Sequence, residues 1–113
     1  MLQWNILDSK EQLESIIEES YQSPQVIFKH STTCPISSMA KRRLEQNWAV
    51  TASPYFLDLI RHRSISNEIA DRLNVVHESP QIILVKDGKA IYDESHLDIS
   101  VDSLTEALPA QNG

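Results

Sequence analysis

Cysteine, glycine and long apolar runs are scarce in this sequence. Its 113 residues include one cysteine and two glycines, which excludes an intramolecular disulfide framework. No apolar run approaches the roughly 18 residues of a membrane-spanning helix, and the first residues lack the basic and apolar regions of a signal peptide. We therefore expect no membrane association and a cytoplasmic location. The length fits a single domain over residues 1–113.

Positive charge is also sparse. The net charge of −6 argues against a nucleic-acid partner, because the phosphate backbone favours clustered lysine and arginine. Residues 41–43, Lys-Arg-Arg, are the exception, and we interpret them as a solvated helix face rather than an anion-binding patch. The four histidines fall in different elements without a paired spacing, so we expect no metal site.

The hydrophobic pattern predicts an α-β-α-β-α-β-β-α order. Ser9 to Tyr21 has a helical period, with a capping box formed by Ser9 and Gln12. The remaining elements are a strand over 25–29, a helix from Pro35, a strand over 55–60, a helix from Ser64, a hairpin over 81–92 that turns at Asp87-Gly88, and a helix from Val101 to Leu108. We expect residues 110–113 to be frayed.

This order favours a mixed sheet. Strands that alternate with helices pair in parallel through crossover connections, whereas the last two strands form an antiparallel hairpin. The sequence therefore predicts an α/β protein with a four-stranded mixed sheet and helices on both faces, which is the element order of the thioredoxin-like fold.

The single cysteine, Cys34, lies where the first predicted strand passes into a helix. A lone cysteine is by composition more often a small buried hydrophobe than a reactive group. Here, however, Pro35 suits the first helical position, which places Cys34 at the helix N-terminus. Unpaired backbone N–H groups and the helix dipole favour an anion such as a thiolate there. We therefore interpret Cys34 as a nucleophile.

The position one helical turn after Cys34 is a serine, Ser37. In Cys-x-x-Cys enzymes a second thiol at this position resolves the mixed disulfide internally. Ser37 can donate a hydrogen bond to a thiolate but cannot form a disulfide. An external thiol must therefore complete any redox cycle.

The segment Thr33-Cys34-Pro35-Ile36-Ser37 and the later Ser79-Pro80 resemble the monothiol bacilliredoxin family of thioredoxin-like proteins. The resemblance covers essentially the full length. It implies that Cys34 attacks the disulfide between bacillithiol (a glucosamine–malate–cysteine thiol) and a protein. It also implies that Pro80 is a cis-proline facing the cysteine, and that the backbone at Ser79 aligns the substrate.

The resemblance further implies the partners and the remaining site residues. The partners are S-bacillithiolated proteins and a low-molecular-weight thiol or dithiol that regenerates Cys34. Bacillithiol is then a co-substrate, with no permanently bound cofactor. Thr33, Pro35 and Ser37 would surround the substrate, and its malate carboxylates could be met by Lys29, by Lys41 or by residues 61–63.

Three alternatives remain open from the sequence. His30 is the histidine nearest Cys34, and an exposed His30 could form a catalytic pair with it. The chain could be an iron–sulfur carrier like monothiol glutaredoxins, although Pro35 and Ile36 replace the glycine and phenylalanine usual there. It could also be a stress-related binding module of the same fold whose cysteine never turns over.

Overall fold

The computed structural model describes residues 2–109. Within that range the chain forms five strands, four α-helices and one 3-10 turn. The elements are β1 (Asn5–Ile6), α1 (Lys10–Glu19), β2 (Gln25–His30), α2 (Pro35–Asn47), β3 (Ser53–Asp58), α3 (Arg63–Leu73), β4 (Gln81–Lys86), β5 (Lys89–Ser95), the 3-10 turn His96–Asp98 and α4 (Val101–Ala107). The expected fraying of residues 110–113 lies outside the described range, and the assignment of 1–113 to one domain stays a prediction.

The sheet is mixed, with the strand order β1-β3-β2-β4-β5. The pairs β1–β3 and β2–β3 are parallel, whereas β2–β4 and β4–β5 are antiparallel. The prediction of four strands was wrong by one. Asn5–Ile6 adds a two-residue edge strand, which is too short to show the alternation by which strands are identified in a sequence.

Helices cover both faces of the sheet, as predicted. Because successive side chains of a strand point to opposite faces, Ile27 joins the apolar core beneath α1 and α3, whereas Val26 and Phe28 join the core beneath α2 and α4. All six residues of β2 are buried. The same alternation places Lys29 on the α3 face and His30 on the α2 face, which matters for the site.

Helix α1 begins as predicted but ends earlier. Ser9 accepts from the Gln12 backbone N–H at 3.2 Å, and the Gln12 side chain completes the capping box. The helix ends at Glu19, so Tyr21 leaves the apolar stripe in which it was expected and is 60% exposed. Its ring instead covers Gly88 of the β4–β5 turn, where φ is +75°.

The end of β3 also differs from the prediction. The strand was expected over 55–60, but it ends at Asp58. The Asp58 carboxylate accepts the backbone N–H groups of Ile60 at 3.1 Å and Arg61 at 3.3 Å, which turns the chain toward α3. As a result, Ile60 lies in the turn after β3 rather than in the strand, and it is 46% exposed.

Candidate functional site

Cys34 is the N-cap residue of α2. It has extended backbone angles, Pro35 occupies the first helical turn, and the Ser38 N–H donates to the Cys34 carbonyl at 3.1 Å. The Cys34 N–H closes a turn by donating to Ser31 O at 3.2 Å. The side chain makes no capping hydrogen bond and is partly exposed. Cys34 therefore lies next to the free N–H groups at the start of the helix.

Ser37 is fully buried beneath this turn. Its Oγ accepts the Ser31 backbone N–H at 3.0 Å and shares a 2.7 Å hydrogen bond with Nδ1 of His30. Ser37 therefore anchors the loop that carries Cys34. Within the described residues no hydrogen bond joins Ser37 to the cysteine sulfur, so donation to a thiolate stays a prediction.

The alternative of an exposed His30 that pairs with Cys34 does not fit the structure. Only 5% of the residue is exposed, because β2 continues through His30 and its side chain points under α2. Burial, followed by the charge of Lys41, lowers the pKa of His30 and favours the neutral imidazole. Its hydrogen-bond partner is Ser37 rather than Cys34.

The Ser79–Pro80 peptide bond is cis, as the family resemblance implied. Pro80 leads into β4, whose first residue, Gln81, is paired with Lys29 of the antiparallel β2. Because Cys34 follows the end of β2, it lies at the same edge of the sheet as the segment before Pro80. The Ser79 hydroxyl oxygen is buried without a hydrogen-bond partner in the described part of the chain.

Lys29 is completely buried. Its Nζ donates to the Ser66 carbonyl at 3.1 Å and lies 3.3 Å from Nδ1 of His77. Burial lowers the pKa of Lys29 to about 8. An amine held against α3 in this way does not reach a substrate carboxylate, so this placement does not fit the role first assigned to it.

The other expected anion-binding groups are placed differently. Lys41 forms a 2.8 Å ion pair with Glu45, one turn further along α2. Arg61 and His62 line a cleft of about 330 Å³ with Phe56, Asp58 and residues 6–8. The cleft lies at the carboxyl ends of β1 and β3. These strands run parallel to β2, so the cleft is at the same sheet edge as Cys34.

Exposed apolar side chains surround the cysteine in sequence. Ile36 and Met39 of α2 are 39% and 46% exposed, although helix residues of this kind normally face a core. Thr33, on the other side of Cys34, is exposed and hydrogen-bonded through its hydroxyl to Ser31 at 3.3 Å.

Two pairings could not be found from the sequence. Both pairs, His30–Ser37 and Lys29–His77, depend on which strand face each residue occupies, and the second also requires an approach between residues 48 positions apart. The available signal was the presence of polar residues directly after the apolar run Val26–Phe28 of the same strand, since buried polar groups need partners.

Neither a metal centre nor a membrane span is seen in the described residues. Residues 2–109 contain no group of three or more histidine, cysteine, aspartate or glutamate side chains arranged to hold a metal ion. In the same range, no helix combines the length and apolar character needed to cross a bilayer.

In the comparison with protein families, residues 5–104 match the family described as monothiol bacilliredoxin BrxC. That range includes each site residue discussed above. One solved structure, described as a proposed oxidoreductase with a thioredoxin fold, is 36% identical, with a TM-score of 0.81 and 90% of each chain covered. These two matches support a thiol redox function.

More distant solved structures are thioredoxins. The thioredoxin of Malassezia sympodialis is 17% identical with a TM-score of 0.73, covering 93% of this chain and 87% of that one. The thioredoxin of Trypanosoma brucei brucei is 18% identical with a TM-score of 0.70 and the same coverage. At these identities the likeness shows the thioredoxin fold alone.

Proposed function

Because the chain belongs to the monothiol bacilliredoxin family, we propose that it is a thiol–disulfide oxidoreductase that removes bacillithiol from mixed disulfides on proteins. The observation that carries the proposal is the position of the sole thiol. Cys34 is partly exposed at the N-terminus of a 13-residue helix, at the sheet edge that holds the cis Ser79–Pro80 bond. We assign the protein to the cytosol, where low-molecular-weight thiols keep cysteines reduced.

The first step is attack by the Cys34 thiolate on the bacillithiol sulfur of the modified protein. The free N–H groups and dipole of α2 stabilise the attacking anion. The Cys34–bacillithiol disulfide forms, and the protein sulfur leaves with the electron pair of the broken bond. The backbone at Ser79 aligns the disulfide, and the exposed Ile36 and Met39 contact the protein part of the substrate.

The second step requires another thiol, because the chain has no second cysteine. A low-molecular-weight thiol or a dithiol partner attacks the bacillithiol sulfur of the Cys34 mixed disulfide and releases Cys34. Ser37 occupies the position of a resolving cysteine, but its hydroxyl anchors the Cys34 loop through His30 and Ser31.

We assign the bacillithiol moiety to the cleft lined by Arg61 and His62. Its volume of about 330 Å³ suits a small polar ligand. The exposed Arg61 guanidinium offers two parallel donors to a malate carboxylate. Asp8 and Asp58 in the same cleft suit the protonated free amino group of the bacillithiol cysteine. Arg61 and His62 belong to the stretch 61–63, which was one of the three alternatives for binding the carboxylates.

The test uses one carrier protein with a single cysteine, modified either with bacillithiol or with glutathione. Wild type and Cys34→Ser are compared by the rate at which each releases the carrier thiol. The proposal predicts that wild type releases the carrier thiol faster from the bacillithiolated carrier than from the glutathionylated one. Cys34→Ser should release it from neither. Equal release of both thiols would contradict the bacillithiol assignment but preserve the monothiol chemistry.

The release assay and a reconstitution experiment separate the two alternative functions, a binding module and an iron–sulfur carrier. A binding module would give no release above that of Cys34→Ser with either carrier. An iron–sulfur carrier would give a coloured dimer on anaerobic reconstitution with iron and sulfide. Either result, combined with an absence of release, would refute the proposed enzyme.

A further inference from the structure

A buried polar cluster lies between β2 and α3, on the sheet face opposite α2. Its centre is the Lys29 ammonium, which contacts the Ser66 carbonyl and Nδ1 of His77. The Ser66 hydroxyl lies 3.3 Å from the same Nδ1. Among residues 2–109, no carboxylate forms an ion pair with Lys29, although a buried lysine usually has such a partner.

These contacts determine where the proton of His77 lies. An ammonium group only donates hydrogen bonds, so Nδ1 of His77 must accept. The neutral imidazole therefore carries its hydrogen on Nε2, on the side of the ring away from the buried amine. Burial, then the charges of Lys29 and Arg63, lower the pKa of His77 against the opposing effect of Glu78, which favours this neutral form.

The cluster reaches from the protein interior to the edge of the site. His77 is half-buried and precedes the cis Ser79–Pro80 bond by two residues. Lys29 is paired with Gln81, directly after that bond. Since Cys34 follows the end of β2 at the same sheet edge, His77 lies on the segment along which a disulfide substrate would be aligned.

We propose that Lys29 and His77 form a proton relay that serves the substrate sulfurs in both halves of the exchange. The inference rests on the proposed function. In the first half, Cys34 forms its mixed disulfide and the departing sulfur takes the proton from Nε2 of His77. Nδ1 takes a proton from Lys29 at the same time. The products are a neutral thiol, neutral Lys29 and a neutral imidazole that now carries its hydrogen on Nδ1.

The second half returns the proton. The incoming thiol gives its proton to Nε2 of His77, and Nδ1 returns one to the Lys29 amine. The resulting thiolate attacks the mixed disulfide, the old disulfide bond breaks, and Cys34 leaves as a thiolate. One disulfide forms and one breaks in each half, so no external oxidant or reductant is consumed beyond the exchanging thiols.

The acidity of Lys29 suits this role. Its pKa of about 8 is close to the usual value of about 8.5 for a cysteine thiol. General acid–base groups act best when their pKa lies near the working pH. In the relay His77 is the catalytic residue, because it contacts the reacting sulfur, whereas Lys29 acts through His77.

The test varies the basicity of the leaving thiol. One disulfide substrate releases an alkyl thiol, and the other releases thionitrobenzoate, an acidic aromatic thiolate that needs no proton. We compare wild type, Lys29→Met and His77→Gln, with the exposed Lys89→Met as the control. Glutamine can keep both hydrogen bonds of His77 but cannot relay a proton.

The relay predicts that Lys29→Met and His77→Gln lower kcat/KM for the alkyl substrate on the order of a hundredfold. It predicts an unchanged kcat/KM for the thionitrobenzoate substrate, because this constant reports only the first half of the exchange. If His77→Gln kept the wild-type kcat/KM for the alkyl substrate, the relay would be overturned. An equal loss on both substrates would also overturn it, because a structural role predicts that pattern. No reaction of wild type with either substrate would instead refute the proposed function.

A measurement on the wild-type protein does not depend on the folding of any variant. Nitrogen-15 chemical shifts of the imidazole distinguish its two neutral forms. The relay predicts that His77 carries its hydrogen on Nε2 at neutral pH. A hydrogen on Nδ1 would overturn it.

Discussion

Replacing Lys29 with methionine should remove a specific pH dependence of folding stability. The ammonium is fully buried without a carboxylate partner among the described residues, and burial lowers its pKa from 10.5 to about 8. The unfolded chain therefore keeps this proton up to about pH 10.5, whereas the folded chain releases it near pH 8. In that interval the unfolded state binds more protons, so stability rises with pH.

The magnitude follows from the same two pKa values. The full difference corresponds to about 3 kcal/mol of unfolding free energy, of which about 2.5 kcal/mol develops between about pH 7 and pH 10. Methionine matches the length of lysine but does not titrate. Wild type should therefore gain about 2.5 kcal/mol relative to Lys29→Met over that interval.

Urea denaturation of both proteins at several pH values measures this difference. The raised pKa values of Tyr55 and Tyr92 also affect stability above about pH 10, but they are common to both proteins and cancel. Lys89→Met, at an exposed position, should follow wild type throughout. If the free energies of unfolding of wild type and Lys29→Met changed in parallel with pH, the claim that Lys29 is a buried charge destabilised by desolvation would be refuted.

Three further substitutions test individual contacts by the same denaturation assay. Ser37→Ala leaves the His30 nitrogen and the Ser31 N–H unpaired and should cost about 1–3 kcal/mol; an unchanged stability would contradict the anchoring role. Gly88→Ala should cost at least about 1 kcal/mol, because φ is positive and the Tyr21 ring lies against the added carbon; no loss would contradict that contact. Ser9→Ala should cost about 1 kcal/mol through loss of the capping box, and a neutral effect would show that water replaces it.

Local patterns were sufficient to predict much of the fold. The cap at Ser9, the turn at Asp87-Gly88 and the helix that begins at Pro35 each depend on residues a few positions apart. The thioredoxin fold and the family were confirmed. The edge strand Asn5–Ile6 was missed, since two residues show no period and the pairing with β3 depends on residues 50 positions away.

The candidate site was only partly predictable for a related reason. Position along the chain indicates that Cys34 begins a helix, but it does not show which face of β2 carries Lys29 and which carries His30. Lys29 was assigned to substrate binding and an exposed His30 was an open alternative, but both residues are buried. Their partners, His77 and Ser37, became evident only once the sheet register and the packing of α2 and α3 were known.

The most direct test of the central claim is the mass of the protein after reaction with bacillithiol disulfide. Wild type should gain one bacillithiol per chain, and the adduct should persist until another thiol is added. Cys34→Ser should gain nothing. A wild type that stays unmodified, or an adduct that disappears without an added thiol, would contradict a monothiol mechanism based on Cys34.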